Sequence, residues 1–418
     1  MRAHQPSHVC RLIAKAAGHW NCLLLAIVTA CAVSCHDDSS GRPSEPSLEE
    51  TIDRLVAPSL QFGSPSGLLV GLTIAGERSV LRYANAEMGY ALPRRDGLFE
   101  ITAITKTVTA ILIAQMIADS LLHLDDPIQQ FLPADVEVPE CDGHLIRIRH
   151  LLSHTAGLAS LLPGTVDGPY SEQQVFDYLE NLDSESSTYC EPIGNGEHVH
   201  PGERMRHSEV GYVLLGMIVE RVLGRPLGDL MRERVCDPLG LGDMRAYEQM
   251  GAAQRSRAVE AYEVTGERID FWENTWLDGS VGLASTIDDL LAYLEACMNA
   301  SGPLADAIAK TREPLFWNYQ SAGDERGIAM AWSVFRTPGR QIFIQRGWRR
   351  MTCIAYLWPE QRTGMVLIAT TREHFPVIDE LAAEIWNEIE ARAIIAADCS
   401  GTKAAGIALA GAGEATVE

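Results

Sequence analysis

The stretch Phe99-Glu100-Ile101-Thr102-Ala103-Ile104-Thr105-Lys106-Thr107 leads into a run of sequence with helical periodicity. The apolar residues that follow it recur on one helix face: Ala110, Ile111, Ile113, Ala114 and Ile117. We expect Thr102 to cap the N-terminus of this helix. Ala103 and Lys106 are three residues apart, so both side chains should lie on one face of the first turn. The N–H groups of that turn favour a nearby negatively charged oxygen.

A serine in place of Ala103 would complete the Ser-x-x-Lys pattern, in which the lysine amine activates the serine hydroxyl. A hydroxyl is a poor nucleophile until a neighbouring group takes its proton. Alanine preserves the helix and its N–H groups but cannot form an acyl-enzyme. The alternative, that Ala103 is simply a good helix former near a helix start, leaves the surrounding sequence unexplained.

Lys106 is unusual for this chain. Of the 34 basic residues only four are lysines, namely Lys15, Lys106, Lys310 and Lys403, and two of these fall near the chain ends. Composition therefore disfavours a lysine at this position. Its role is either catalytic or that of a structural ion pair, for instance with Glu209.

Further segments carry a resemblance to a known family: Leu122–Pro127, Phe131–Pro133, Ile148–Leu158, Pro201–Glu203, Gly211–Gly216, Asp237–Leu241 and Gly282–Thr286. This series resembles the serine β-lactamase-like and penicillin-binding family. That family includes class C β-lactamases, D-alanyl-D-alanine carboxypeptidases, D-aminopeptidases and related esterases. The resemblance spans roughly residues 49–396. It implies a serine-hydrolase fold that needs no cofactor.

The family's second motif, Tyr-x-Asn, corresponds here to His207-Ser208-Glu209. In the family the tyrosine oxygen carries a proton and the asparagine amide binds substrate. His207 titrates near neutrality in its ordinary state, so it could serve as a base. Glu209 cannot donate hydrogen bonds when ionised, and it could instead pair with Lys106. Ser208 would then be a substrate contact.

The family's third motif, His-x-Gly or Lys-Thr-Gly, is aligned with Arg346-Gly347-Trp348. Arg346 keeps a cation that could hold a carboxylate in the cleft. Trp348 would replace a glycine at a point of close backbone approach and narrow the cleft. Arg349 and Arg350 follow and form a local basic spot, with Arg349 expected among the ligand contacts.

Three altered motifs favour a chain that has lost acyl transfer and holds a cell-wall peptide, a small acyl ligand or a partner protein in the old cleft. One alternative is an active hydrolase with a relocated nucleophile, for which Thr102, Thr105 and Ser208 are the candidates. Another alternative is a metal site, whose donors would lie close together in the sequence: Glu197, His198, His200, His207 and Glu209. Because no compact metal motif is present, we predict no metal in the cleft.

The chain has 418 residues with a formal net charge of −22 and a sequence pI near 4.9. Such an acidic chain is not expected to bind nucleic acid. Residues 1–35 read as a lipoprotein-type signal region in which Cys31 would be lipidated, with Cys35 as a weaker candidate. Residues 36–48 read as a tether and 397–418 as a disordered tail. We therefore expect an exported protein of the bacterial cell envelope, attached to the periplasmic side of a membrane only by lipid.

Six cysteines follow the signal region, namely Cys141, Cys190, Cys236, Cys297, Cys353 and Cys399. In an oxidising compartment some of them can pair. Cys141 and Cys190 fall in two polar loop-like segments, so a bridge between them is conceivable, although pairing does not follow from sequence. None of the six has zinc-site spacing.

Strand patterns occur early and late in the chain, with a long helical region between them. The sequence therefore predicts an α/β (α+β) fold in which an antiparallel sheet, flanked by N- and C-terminal helices, receives an inserted, mostly helical lobe. We assign residues 49–100 and 325–396 to the α/β lobe and residues 101–324 to the helical lobe. Ala103, Lys106, His207 and Arg346 are expected to meet in the cleft between the lobes.

Overall fold

The computed structural model describes residues 45–61, 67–163, 170–182, 189–194, 196–263, 265–269, 278–321, 323–372, 375–400 and 416–417. The predicted signal region, Cys31 included, and most of the predicted tether lie outside the described residues. Within the described ranges, each helix is either too short or too polar to cross a lipid bilayer.

The strands in chain order are β1 Gly67–Ile74, β2 Glu77–Ala84, β3 Phe99–Glu100, β4 Pro192–Gly194, β5 Glu197–His198, β6 Arg245–Ala246, β7 Ala261–Tyr262, β8 Arg268–Ile269, β9 Leu283–Ser285, β10 Phe316–Ser321, β11 Asp324–Ile328, β12 Ser333–Thr337, β13 Arg340–Trp348, β14 Thr352–Trp358, β15 Thr363–Ala369 and β16 Thr416–Val417. Nine of them form one sheet in the order β10-β11-β12-β13-β14-β15-β1-β2-β16. Its pairs are antiparallel except for β16, which runs parallel to β2.

The α-helices in chain order are α1 Leu48–Gln61, α2 Thr105–Ala118, α3 Ile148–Leu152, α4 Glu172–Glu180, α5 Glu209–Leu223, α6 Leu227–Met231, α7 Ala252–Arg255, α8 Ile287–Asn299, α9 Ala305–Thr311 and α10 Phe375–Ser400. Helices α1 and α10 pack on one face of the large sheet, and their apolar residues share a core with β1, β14 and β15. Helix α8 covers the other face together with the helical lobe.

Strand β1 lies in the interior of the sheet, and all eight of its residues are buried. Its Val70 faces the α1 and α10 core, whereas Leu69 faces the helical lobe, as the two-residue period of a strand requires. Gly71 lets α8 approach closely, because a Cβ there would lie 2.9 Å from Ile287. β1 pairs with β15 at residues Leu68–Ala369, so the two ends of the chain build one sheet.

The predicted α/β fold with its antiparallel sheet is confirmed. The late strands of the large sheet begin at Phe316, before residue 325, where the sequence placed the start of the second part of the α/β lobe. The predicted tail lies mostly outside the described residues. Within them, the last helix continues through Ser400 and Thr416–Val417 forms a short strand.

The disulfide between Cys141 and Cys190 that the sequence left open is present, and it joins two loops of the helical lobe. Three further cysteines are buried free thiols: Cys236, Cys297 and Cys353. Burial raises the pKa of the Cys297 thiol to about 12, so this thiol stays protonated. These thiols behave as small apolar core residues.

Candidate functional site

Lys106 lies in the first turn of α2, and its side chain is fully buried. Its Nζ atom is 3.4 Å from Oε1 of Glu209 at the start of α5. The same nitrogen lies 6.0 Å from the ring centre of Tyr212, one turn further along α5. The ion pair that the sequence suggested is therefore present. In this pair the lysine amine contacts a carboxylate that comes from a different helix.

Glu209 is the central charged group of the site, and one fifth of its side chain is exposed. Burial alone would raise the pKa of this carboxyl, but the positive charge of Lys106 holds it below its ordinary value. His207 and Arg349 add to this lowering of the pKa. The hydroxyl of Ser280 lies 3.5 Å from Glu209 Oε2 and also donates a 2.6 Å hydrogen bond to Asp278.

His207 stands beside this pair and is largely buried among rings. Its ring centre lies 4.8 Å from that of His154 and 6.3 Å from that of Trp348. Burial, reinforced by the positive charge of Lys106, lowers the pKa of His207 to about 4. His207 is therefore neutral at pH 7, and it is a weaker base than its ordinary pKa would have made it.

Ala103 lies in a 3₁₀ turn at Thr102–Ile104 and is 3% exposed. Strand β13 passes directly over it, because a Cβ on Gly347 would lie 2.5 Å from the Ala103 nitrogen and 2.0 Å from the Thr102 hydroxyl oxygen. The close backbone approach therefore occurs at Gly347, which remains a glycine. The expectation that Trp348 replaces that glycine is wrong. Trp348 is the next residue and is 51% exposed at the end of the strand.

Arg346 does not face the cleft, contrary to the sequence prediction. Its Nε donates a 2.5 Å hydrogen bond to Asp379 of α10, and its guanidinium lies 5.9 Å from the Tyr356 ring centre. Successive residues of a strand point to opposite faces, so Gln345 and Gly347 lie on the face opposite Arg346. Gln345 donates a hydrogen bond to Ala331 O. The third motif thus corresponds to Gln345-Arg346-Gly347, with an amide where the family has a cation.

The three hydroxyls proposed as relocated nucleophiles are all buried. Ser208 caps α5: it accepts a hydrogen bond from Gly211 N–H at 3.1 Å and donates one to Ala159 O at 2.7 Å. The prediction that Ser208 contacts substrate is therefore wrong, because its hydroxyl caps the helix instead. The Thr105 hydroxyl accepts a hydrogen bond from Leu283 N–H.

Thr102 is not the predicted helix cap. It precedes the start of α2 and has a left-handed φ of 48°. Its hydroxyl oxygen is buried and has no hydrogen-bond partner among the described residues. Because Gly347 covers it, this hydroxyl cannot reach a ligand without movement of β13.

The residues proposed as metal donors fall into two separate groups. His198 and His200 both contact Asp142, at 2.8 Å and 3.3 Å. His207 and Glu209 belong instead to the group around Lys106. The alternative metal site, which would have combined all of these residues, is therefore not assembled.

Sequence reasoning missed four residues of the site, namely His154, Tyr212, Asp278 and Ser280. His154 accepts a hydrogen bond from Ser208 N–H, and burial lowers its pKa well below the ordinary value. Tyr212 donates to Leu152 O. His154 and Tyr212 lie within segments that carry the family resemblance, which was the available signal. Asp278 and Ser280 come from a different loop, and only the fold brings them to Glu209.

A 3₁₀ turn and the helix α2 that follows it present Ala103 and Lys106 beside strand β13, and α5 supplies a third group. This arrangement defines the scaffold of a serine hydrolase. The chain belongs to the beta-lactamase family, whose model matches residues 52–386. It is 23% identical over 353 residues to the D-alanyl-D-alanine-carboxypeptidase/endopeptidase AmpH of Escherichia coli K12, covering 82% of this chain and 83% of that one. It is 26% identical over 250 residues to the esterase EstB of Burkholderia gladioli, covering 54% and 63%.

Solved structures agree on the fold. The crystal structure of a beta-lactamase/D-alanine carboxypeptidase from Pseudomonas syringae superposes with a TM-score of 0.65 at 20% identity. That match covers 81% of this chain and 98% of the other. This structural likeness supports the fold alone.

Proposed function

We propose that this protein is a non-acylating member of its family, which binds a peptide or another acyl-type ligand and does not turn it over. The observation that carries the proposal is Ala103, whose methyl group stands in the 3₁₀ turn that leads into α2. Loss of a nucleophile leaves only the weak catalysis that the rest of a site can supply. The ion pair of Lys106 with Glu209 adds a second obstacle, because the amine that would activate a serine contacts a carboxylate instead.

The ligand-facing groups differ from the earlier expectation. Arg346 is held by Asp379, whereas Arg349, which follows the end of β13, lowers the pKa of Glu209 through its positive charge. Trp348 adds an exposed indole face beside His207. An aromatic surface beside a cation suits an extended peptide that ends in a carboxylate. We therefore favour a cell-wall peptide that terminates in D-alanine.

The chemical part of the proposal is tested with a fluorescent penicillin. The wild-type protein should show no stable labelling on a denaturing gel, whereas a penicillin-binding protein in the same buffer should be labelled. Hydrolysis of nitrocefin and of a p-nitrophenyl ester should stay at the level of the buffer. Covalent labelling of the wild type, or turnover that disappears in Ser208→Ala, would support an active hydrolase with a relocated nucleophile.

The binding part is tested by calorimetry with a D-alanyl-D-alanine peptide. We expect saturable binding without release of D-alanine, and at least tenfold weaker binding by Arg349→Gln and Trp348→Ala. Arg95→Gln is the matched control, because Arg95 pairs with Asp288 away from Lys106. Absence of binding to the wild type, or equal binding by all variants, would rule out this ligand.

We further propose that the protein is exported and anchored by lipid at Cys31. Its N-terminal sequence supports this proposal, since basic residues, an apolar stretch and Val28-Thr29-Ala30-Cys31 occur in that order. Labelled palmitate should be incorporated into the wild type but not into Cys31→Ala. Incorporation that is lost in Cys35→Ala and retained in Cys31→Ala would instead place the lipid on Cys35.

A further inference from the structure

A second cluster of ligand-type side chains surrounds the disulfide of the helical lobe. Asp142 follows Cys141 directly, and its Oδ2 lies 2.8 Å from His198 Nδ1 and 3.3 Å from His200 Nε2. The ring of His200 stacks on that of His144 with centres 4.1 Å apart. Neither the family resemblance nor the proposed ligand cleft uses these groups.

The donor atoms of this cluster form two overlapping triads. Cys141 Sγ, an Asp142 oxygen and a His200 ring nitrogen all lie within 4.8 Å of one another. The second triad consists of Asp142, Cys190 and His198, whose donor atoms also lie within 4.8 Å of one another. Both triads share the Asp142 carboxylate, and each contains one of the two disulfide sulfurs. Five donors of the kinds that zinc prefers therefore converge on one place.

The state of the sulfurs decides whether these donors can bind a metal. The ligand is the thiolate, and a sulfur in a disulfide is not one. Donor atoms around a tetrahedral zinc ion are roughly 3.3–3.8 Å apart, given bonds of about 2.0–2.3 Å. Cleavage of the S–S bond would free the two sulfurs to separate to that distance.

We propose that reduction of the Cys141–Cys190 disulfide creates a site for a thiophilic divalent cation such as Zn²⁺. The two thiolates are the essential ligands, and the four donors are completed from Asp142, His198 and His200. An external dithiol supplies two electrons and two protons to the S–S bond and leaves as its own disulfide. The incoming cation then displaces the two thiol protons.

The surroundings allow both reduction and metal entry. Cys190 is partly exposed, whereas Cys141 is fully buried, so a reductant would attack the Cys190 sulfur. A small solvent-open cleft is lined by Cys190, His200, Arg204 and Arg206 among others. This opening gives a reductant and a cation a path to the Cys190 sulfur.

The test uses Co²⁺, whose absorption reports directly on thiolate ligation, with a phosphine reductant that does not itself supply thiols. Reduced wild-type protein should bind one Co²⁺ with a thiolate-to-metal charge-transfer band, and Zn²⁺ should remove that band. Oxidised wild type should lack the band. Cys141→Ser/Cys190→Ser should also lack it, and His198→Ala/His200→Ala should bind at least tenfold more weakly. His123→Ala, altered at an exposed histidine, should behave as wild type.

Several results would overturn the proposal. One is a reduced wild type without the band, and another is a band that persists in the double cysteine variant, since the remaining cysteines of the chain would then be its source. Near-ultraviolet circular dichroism follows the fold in every sample. Loss of that signal on reduction, without recovery when Zn²⁺ is added, would also refute a metal site in the reduced state.

Discussion

At the scale of single residues, the pair of Lys106 and Glu209 separates this site from a working acyl-transfer site. A buried ion pair is strongly favoured over one buried charge left alone, so neither partner can be changed without consequence for the other. A serine at position 103 would therefore meet a lysine paired with a carboxylate instead of a lysine beside an amide. We therefore expect that restoring acylation requires a change at Ala103 and a change at Glu209.

This argument predicts a stepwise recovery of acylation. Ala103→Ser alone should gain little labelling by a fluorescent penicillin, because Lys106 stays paired with Glu209. Ala103→Ser/Glu209→Asn should be labelled at least tenfold faster, since the carboxylate is gone and a donor amide replaces it. Glu209→Asn alone is the control and should remain unlabelled. Full recovery by Ala103→Ser alone would show that the ion pair does not limit the site.

His207 gives a second prediction, which concerns stability against pH. Its pKa is 6.5 in the unfolded chain and about 4 when folded, so the unfolded chain binds more protons between these values. Its contribution to stability is therefore complete above about pH 6.5 and falls as the pH decreases toward 4. Between about pH 7.5 and 5, wild type should lose about 2 kcal/mol more than His207→Gln.

Urea unfolding at the two pH values measures this difference. The exposed residue His123 provides a control, because His123→Gln should lose as much stability as wild type over the same range. Equal losses in wild type and His207→Gln would show that His207 is protonated as easily in the folded protein as in the unfolded chain.

At the scale of elements, strand β13 shows where sequence reasoning reached its limit. The third motif, on β13, was assigned one residue too late, to Arg346-Gly347-Trp348 in place of Gln345-Arg346-Gly347. A one-residue shift moves every side chain of a strand to the other face. Ile342 and Ile344 belong to the core under α10 and Phe343 to the other core, so the alternation already placed Arg346 with Ile344. Only the packed sheet reveals which face meets α2.

In helix α5, a residue of the second motif stabilises the helix itself, because Ser208 caps its N-terminus. Ser208→Ala should cost about 2 kcal/mol of unfolding free energy, because the helix cap is lost and Ala159 O loses its donor. Ser171, which caps α4 at an exposed position, is the matched control and should cost about 1 kcal/mol or less. Chemical denaturation of both variants measures the difference. A neutral Ser208→Ala would mean that this hydroxyl is available for another role.

At the scale of the whole molecule, the early and late strand patterns were enough to predict one sheet built from both chain ends. The order β14-β15-β1-β2 confirms this arrangement. The sequence could not supply Asp278 and Ser280 beside Glu209, because their approach depends on how the helical lobe packs as a unit. Local sequence patterns were thus enough to predict the helices and strands and their approximate positions in the chain. The contacts of the site depend on residues more than sixty positions apart, such as Glu209 and Ser280.

Because both ends of the chain contribute strands to one sheet, we predict that a core substitution in the last helix, α10, destabilises the whole molecule. Ile385 of α10 is fully buried in the core shared with β1 and α1. Ile385→Ala should lower the free energy of unfolding by about 2–5 kcal/mol. The same substitution at Ile394, which is 53% exposed on the same helix, should change it by about 0.5 kcal/mol or less. Tryptophan fluorescence and far-ultraviolet circular dichroism should report one coincident transition for both variants. Separate transitions in Ile385→Ala would show that the helical lobe folds independently of the sheet.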